Sequence, residues 1–233
     1  MRQSPRRHRN GRTAGPVVVL IGGLVALTAC AASGSTATTT STPSTSDGRA
    51  ATTATTHATT SGDGSGTDVA RAELAAPDGT AVGTVTFSTS TDDPDTLVVR
   101  VSIGGLEPGL KGLHVHTIGK CEPNSPDPAD PANVGNFLSA GGHLKAPGES
   151  HAGHDGDLSS LMVRSDGSAE LVVGTDSLPL DALLDADGSA VIVHLGPDSF
   201  GNIPTRYAPT PDAATLNTGD SGGRAACGVV EAA

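Results

Sequence analysis

The chain has 233 residues, only 2% of them aromatic, with 31 glycines and 16 prolines. That composition excludes a bundle of long helices or an aromatic-packed core and favours one modest β-rich domain. The formal net charge is −11, and because Arg2, Arg6, Arg7, Arg9 and Arg12 all precede the first apolar run, the rest of the chain is more acidic still, which argues against nucleic acid or an anionic lipid surface as its partner.

The arginines, the apolar stretch from Val17 to Leu27 and the small residues after it reproduce the three regions of a secretory signal peptide. The apolar stretch is too short to span a bilayer comfortably. It ends in Leu27-Thr28-Ala29-Cys30, which resembles the lipobox of bacterial lipoproteins. That resemblance implies that residues 1–29 are a cleaved signal and that the thiol of Cys30 carries a diacylglyceryl anchor. Residues 30–67 follow as a lipidated cysteine and a tether of Ser, Thr, Ala and Gly, with too few apolar side chains to offset the entropy of ordering. The expected location is the cell membrane, facing outside the cytoplasm, with Cys30 as the sole membrane contact.

A folded domain is expected over residues 68–233. Period-2 alternation in Val69–Leu74 and again in Val82–Phe87 predicts two strands. Further strands are expected over 96–103, 111–116, 159–164, 168–174, 189–195 and 226–231. About eight short strands punctuated by Gly, Pro and Asp turns predict an all-β, eight-stranded Greek-key barrel or sandwich of immunoglobulin-like type. Two connections, 117–157 and 196–225, are too long for turns, and long ordered loops in a compact β domain are usually functional.

Six of the eight histidines, at 114, 116, 143, 151, 154 and 194, lie on or beside those two connections. In His114-Val115-His116 the two imidazoles point to one face of a strand while Val115 points to the other. Alone, the pair is as well explained by two solvated histidines as by half a metal site. His194 closes the apolar run Val191-Ile192-Val193 and, taken singly, is more often a packed core histidine than a ligand. His143, His151, His154 and Asp157 bring three imidazoles and a carboxylate from one short segment, a donor set that suits zinc. With Cys30 set aside as the anchor, Cys121 and Cys227 are expected to pair, because the implied compartment is one where disulfides persist.

In chain order the motifs are HVH, CEP, GGH, a His-rich loop ending in GDL, VIVH and GGRAACGVV. This order resembles that of the copper,zinc superoxide dismutases, and the lipobox and Ser/Thr tether resemble their actinobacterial lipoprotein members. The resemblance covers residues 69–233. It implies a copper set of His114, His116, His143 and His194, and a zinc set of His143, His151, His154 and Asp157, with His143 shared. It also implies Asp198 as the carboxylate that orients ligand histidines of both metals and Arg224 as the guanidinium beside copper that draws in an anion. The implied activity is dismutation of superoxide to oxygen and hydrogen peroxide, with His143 carrying a proton during turnover, as a protection against external superoxide. The implied cofactors are copper and zinc and the substrate is the superoxide anion; a homodimer is left open. The interval between His151 and His154 is shorter than in many members of the family.

Overall fold

The computed structural model describes residues 64–233. The expected signal peptide, Cys30 and almost all of the tether lie outside the described residues. Among the described residues there are eleven strands: β1 (Ser65–Ala75), β2 (Ala81–Ser90), β3 (Leu97–Ile103), β4 (Gly109–Lys111), β5 (Leu113–His116), β6 (Ser125–Pro126), β7 (Val134–Gly135), β8 (Leu161–Val163), β9 (Ala169–Thr175), β10 (Ala190–His194) and β11 (Arg224–Ala232). Two short helices, α1 (Leu180–Leu183) and α2 (Ala213–Thr218), lie in connections. The first strand begins at Ser65, three residues before Asp68, where the domain was expected to start.

Seven strands form one antiparallel sheet in the order β5-β10-β11-β1-β2-β3-β9. The neighbours β5·β10, β11·β1 and β3·β9 are distant in sequence, which is the Greek-key signature. A two-stranded ribbon, β4 with β8, bridges the ends of this curled sheet, since β4 runs into β5 and β8 lies against β9. The expected strand over 111–116 is thus two strands that belong to different sheets. Gly112 makes the switch: its N–H donates to Gly196 O at 2.9 Å, and an added Cβ there would lie 2.8 Å from Ser221 Oγ. The other departure from expectation is the small hairpin β6–β7 inside the first long connection, where Pro126 and the lack of an alternating apolar pattern hide any strand.

Inside the barrel, Val85, Phe87, Val99, Val101, Leu113 and Val115 are fully or almost fully buried. Every residue of β10 is buried, which requires both faces of that strand to be covered. Val191 and Val193 face the barrel core. Ala190 and Ile192 face outward, beneath Phe137 and Ala140 of the first long connection. The outer face of β5–β10 is therefore roofed by loops rather than by solvent. The site is built there.

Candidate metal centre

His114 and His116 share the outer face of β5, opposite Ile192 and Ala190 of β10, while Leu113 and Val115 fill the core. The free edge of β5 is taken up by the His-rich loop. Val115 N donates to Gly156 O at 2.9 Å, and Leu144 N donates to Val115 O at 2.8 Å. This places Asp157 opposite His114 and His143 opposite His116. Gly156 must be a glycine for the loop to come so near, because a Cβ would overlap Val115 O. On the other side, the pairing of β10 with β11 breaks register between Val193 and His194, so that His194 faces Arg224. A bulge of this kind re-aims side chains beside functional sites.

All six of these histidines are buried, with His114 and His116 at most 1% exposed. One ring nitrogen of each has its partner within the protein. His116 Nδ1 donates to Gly141 O at 2.9 Å, His194 Nδ1 to Gly222 O at 3.1 Å, and His114 Nε2 to Asp198 Oδ2 at 2.8 Å. His151 Nε2 donates to Asp198 Oδ1 at 2.7 Å, so Asp198 bridges His114 and His151. The opposite nitrogens, His114 Nδ1, His116 Nε2, His143 Nε2 and His194 Nε2, have no partner. These four residues present ring nitrogens within 4.8 Å of one another.

A second cluster adjoins the first through His143. His143 Nδ1 lies 2.8 Å from Asp157 Oδ1, and His151 Nδ1 and His154 Nδ1 lie 2.9 Å and 3.3 Å from Asp157 Oδ2. The short contact of His151 Nδ1 lacks hydrogen-bond geometry, since that atom is also without a partner. Of the six, only His154 has its far nitrogen, Nε2, buried with neither a hydrogen bond nor a second cluster to face.

Among the described residues, the buried side-chain nitrogens and oxygens that lack a partner are all imidazole nitrogens of these histidines. An unmet buried polar atom costs about 1–3 kcal/mol, so confining them to histidines of two adjoining clusters, all but His154 Nε2 on the cluster side of the ring, fits a fold that expects metal ions to complete them. Protonation agrees. Burial, reinforced by Arg224 and the neighbouring imidazoles, holds His116 well below the ordinary histidine range. Burial brings His143 to about 4 against the pull of Asp157, and brings His194 to about 3. These imidazoles keep a free lone pair at neutral pH, as ligation demands. Burial pulls Asp198 upward, but hydrogen bonds from His114, Phe200 N and His151 outweigh it and hold the carboxyl at about 2. Asp198 is an anion between two imidazoles.

His116, His143, His194 and Arg224 line one cavity of about 530 Å³, together with Asp127 and Asp220. The Arg224 guanidinium is fixed by donating to the carbonyls of Phe137 and Gly141. Burial lowers it to about 10 while Asp127 opposes that shift, so it stays cationic at neutral pH. The arrangement can hold a redox metal at the base of a cavity and present one immobile positive charge to an incoming anion.

The sequence model of the copper/zinc superoxide dismutase family (SODC) matches residues 81–230. The chain belongs to that family. The Cu-Zn superoxide dismutases of Mycobacterium bovis and Mycobacterium tuberculosis are each 49% identical to it over 163 residues, covering 67% of this chain and 68% of theirs. That of Mycolicibacterium paratuberculosis is 46% identical over 165 residues, covering 68% and 72%. Among solved structures, a double mutant of a SOD-like protein from Bacillus subtilis has a TM-score of 0.50 at 28% identity, covering 68% of this chain and 95% of its own. The clock protein EA4 has a TM-score of 0.51 at 26% identity, covering 70% and 92%. This dismutase is an oxidoreductase whose substrate is superoxide and whose cofactors are copper and zinc.

Every residue of the dismutase expected to form a metal cluster lies in one, and Cys121 is bonded to Cys227 across 106 residues with 5.6 Å between Cα atoms. Despite the short interval between them, His151 and His154 join the same cluster. Sequence reasoning missed the carbonyls of Gly141 and Gly222, which orient His116 and His194, and the acidic pair Asp127 and Asp220 in the cavity wall. The paired glycines beside His143 and Arg224 were the available signal, because backbone can approach a ring closely where no side chain intervenes.

Proposed function

We propose that His114, His116, His143 and His194 hold the copper of this dismutase and that His143, His151, His154 and Asp157 hold its zinc. The gathering of the partnerless nitrogens of His114, His116, His143 and His194 within 4.8 Å of one another, beside a second donor group that shares His143, supports this reading above all else. Copper bound there supplies alternating one-electron chemistry, in which one superoxide is oxidised to O2 and a second is reduced, with two protons, to H2O2. Arg224 draws superoxide into the cavity and positions it beside His116, His143 and His194. His143 lines that cavity and its Nδ1 is tied to Asp157, so Nε2, which has no partner in the protein, is the atom left to take up a proton and hand it to the reduced anion. Those four protein donors would suffice to hold zinc without water, in which case its part would be structural. Asp198 orients His114 and His151 together, one from each set.

The enzyme acts outside the cytoplasm, held at the membrane by a lipid on Cys30, and protects the cell against external superoxide. The lipobox-like end of the apolar segment supports the anchor. Sedimentation of the purified chain decides between monomer and homodimer.

The test is superoxide decay combined with copper and zinc quantification. His116→Ala and His194→Ala should each lose most copper and essentially all turnover. Full activity in either variant would refute the copper set. Cys30→Ser should move the protein out of the detergent phase, and unchanged partitioning would refute the anchor.

A further inference from the structure

The last turn of α2 makes a contact with the bridging carboxylate that no capping requirement explains. Gly219 follows that helix in the left-handed region, with φ at 56°, and donates its N–H to Thr215 O at 3.1 Å. Capping asks only for a residue that tolerates positive φ. The surroundings of Gly219 ask for more. A Cβ on Gly219 would overlap both Asp198 Oδ1 and His151 Nε2, which hydrogen-bond to each other at 2.7 Å. The glycine therefore forms the floor on which that bond lies. The same turn grips both partners through the backbone: Ser199 N donates to Gly219 O at 2.8 Å, and His151 N donates to Leu216 O at 2.9 Å. Gly79, in the hairpin between β1 and β2, also has positive φ, at 84°, but nothing within 4 Å of its Cβ position. Conformation is shared by the two glycines and the contact is not.

We infer that Gly219 is a positioning residue for both metal clusters. It leaves the space that lets the Asp198 carboxylate sit between His114 and His151, and it ties the 196–225 connection to the affinity of one cluster and the geometry of the other. The inference rests on the assignment of zinc and copper to these clusters. A side chain at 219 displaces Asp198, loosens the orientation of His151 on the zinc side, and removes the partner of His114 Nε2 on the copper side.

The test uses the full-length chain in five forms: parent, Gly219→Ala, Gly79→Ala, Asp198→Ala and the Gly219→Ala, Asp198→Ala double variant. Zinc affinity is measured by competition with a chromophoric chelator, the Cu(II) visible band after reconstitution, and the melting temperature without metal. Loss of an orienting partner weakens metal binding by about 10–100-fold. Gly219→Ala should lose zinc affinity in that range and move the Cu(II) band as Asp198→Ala does. Gly79→Ala should lower the melting temperature of the metal-free chain and leave zinc affinity and the Cu(II) band at parent values. The double variant should match Asp198→Ala alone, since two changes acting through one contact are not additive. Failure of Gly219→Ala to fold, with the double variant folding, supports the contact, because removing the carboxylate vacates one side of the space and frees the His151 ring from the partner that holds it on the other. Failure of both to fold overturns it. A zinc-binding parent whose Gly219→Ala variant binds zinc equally well, or whose loss adds in full to that of Asp198→Ala, overturns this inference alone. A parent that binds no zinc overturns the metal assignment and this inference with it.

Discussion

His154→Ala isolates the zinc cluster from everything else in the protein. His154 is absent from the group formed by His114, His116, His143 and His194, so the variant should keep its copper and measurable turnover. In the metal-free chain its side chain brings little. Nδ1 stands 3.3 Å from Asp157 Oδ2 and makes one long contact of 3.4 Å with His143 Nδ1, and Nε2 is buried without a partner. The backbone bond from His154 N to Asp157 Oδ2 at 3.1 Å survives the substitution. Losing a donor costs more than losing the group that orients it, which sets the drop in zinc affinity at ~100-fold or more. With zinc in excess, a 100-fold weaker native-state ligand corresponds to about 2.7 kcal/mol of lost stability. For a domain of this size each kcal/mol moves the melting temperature by roughly 2–4 °C, so the zinc-loaded variant should melt ~5–11 °C below the zinc-loaded parent. The metal-free forms should melt nearly together. Calorimetry with and without zinc, alongside metal quantification, reads both comparisons. Equal zinc contents would refute the reasoning, as would a metal-free variant that falls by the full amount.

Arg224→Ala should retain copper yet slow superoxide decay at low salt and weaken its ionic-strength dependence, because the charge that guides the anion is screened like any other. In the parent, kcat/KM should fall as pH rises through about 10, where burial places the Arg224 guanidinium; a profile unchanged by Arg224→Ala would count against that charge. Cys121→Ser should lower stability by about 4–5 kcal/mol on a chain-entropy estimate for a loop of 106 residues, measured by denaturant unfolding of the chain under oxidising conditions. The metal-free protein should lose stability in acid. His143 and His194 titrate at about 4 and about 3 in the fold against 6.5 when free, so below pH ~6.5 the unfolded chain binds more protons and unfolding is favoured as pH falls towards those values. A flat stability curve from pH 7 to pH 4 would exclude that coupling.

Much of the site was legible because its signals are local. The period-2 step from His114 to His116 sets their common face whatever else the chain does. Histidine and aspartate density between 143 and 157 marks a donor-rich loop, and two cysteines outside the lipobox leave one pairing. Asp198 and Arg224 were different. Each is an ordinary surface residue type in a loop or at a strand start, and only the resemblance to a family singled them out. The break at Gly112 was hidden because the run 111–116 reads as one strand, and nothing within it reports that β4 faces β8 while β5 faces β10.

Residue spacing along the chain determined by itself which side chains could act together: the histidine pair, the donor-rich loop, the strand-end histidine and the cysteines. The tertiary structure decided which nitrogen of each imidazole is left for a metal. That choice depends on acceptors from distant segments, the carbonyls of Gly141 and Gly222 and the Asp198 carboxylate. It also decided where Arg224 stands, through a register break against His194, and why residue 219 is a glycine, through a carboxylate folded against it. These are contacts between residues remote in sequence, and no local propensity or periodicity encodes a distance across the barrel.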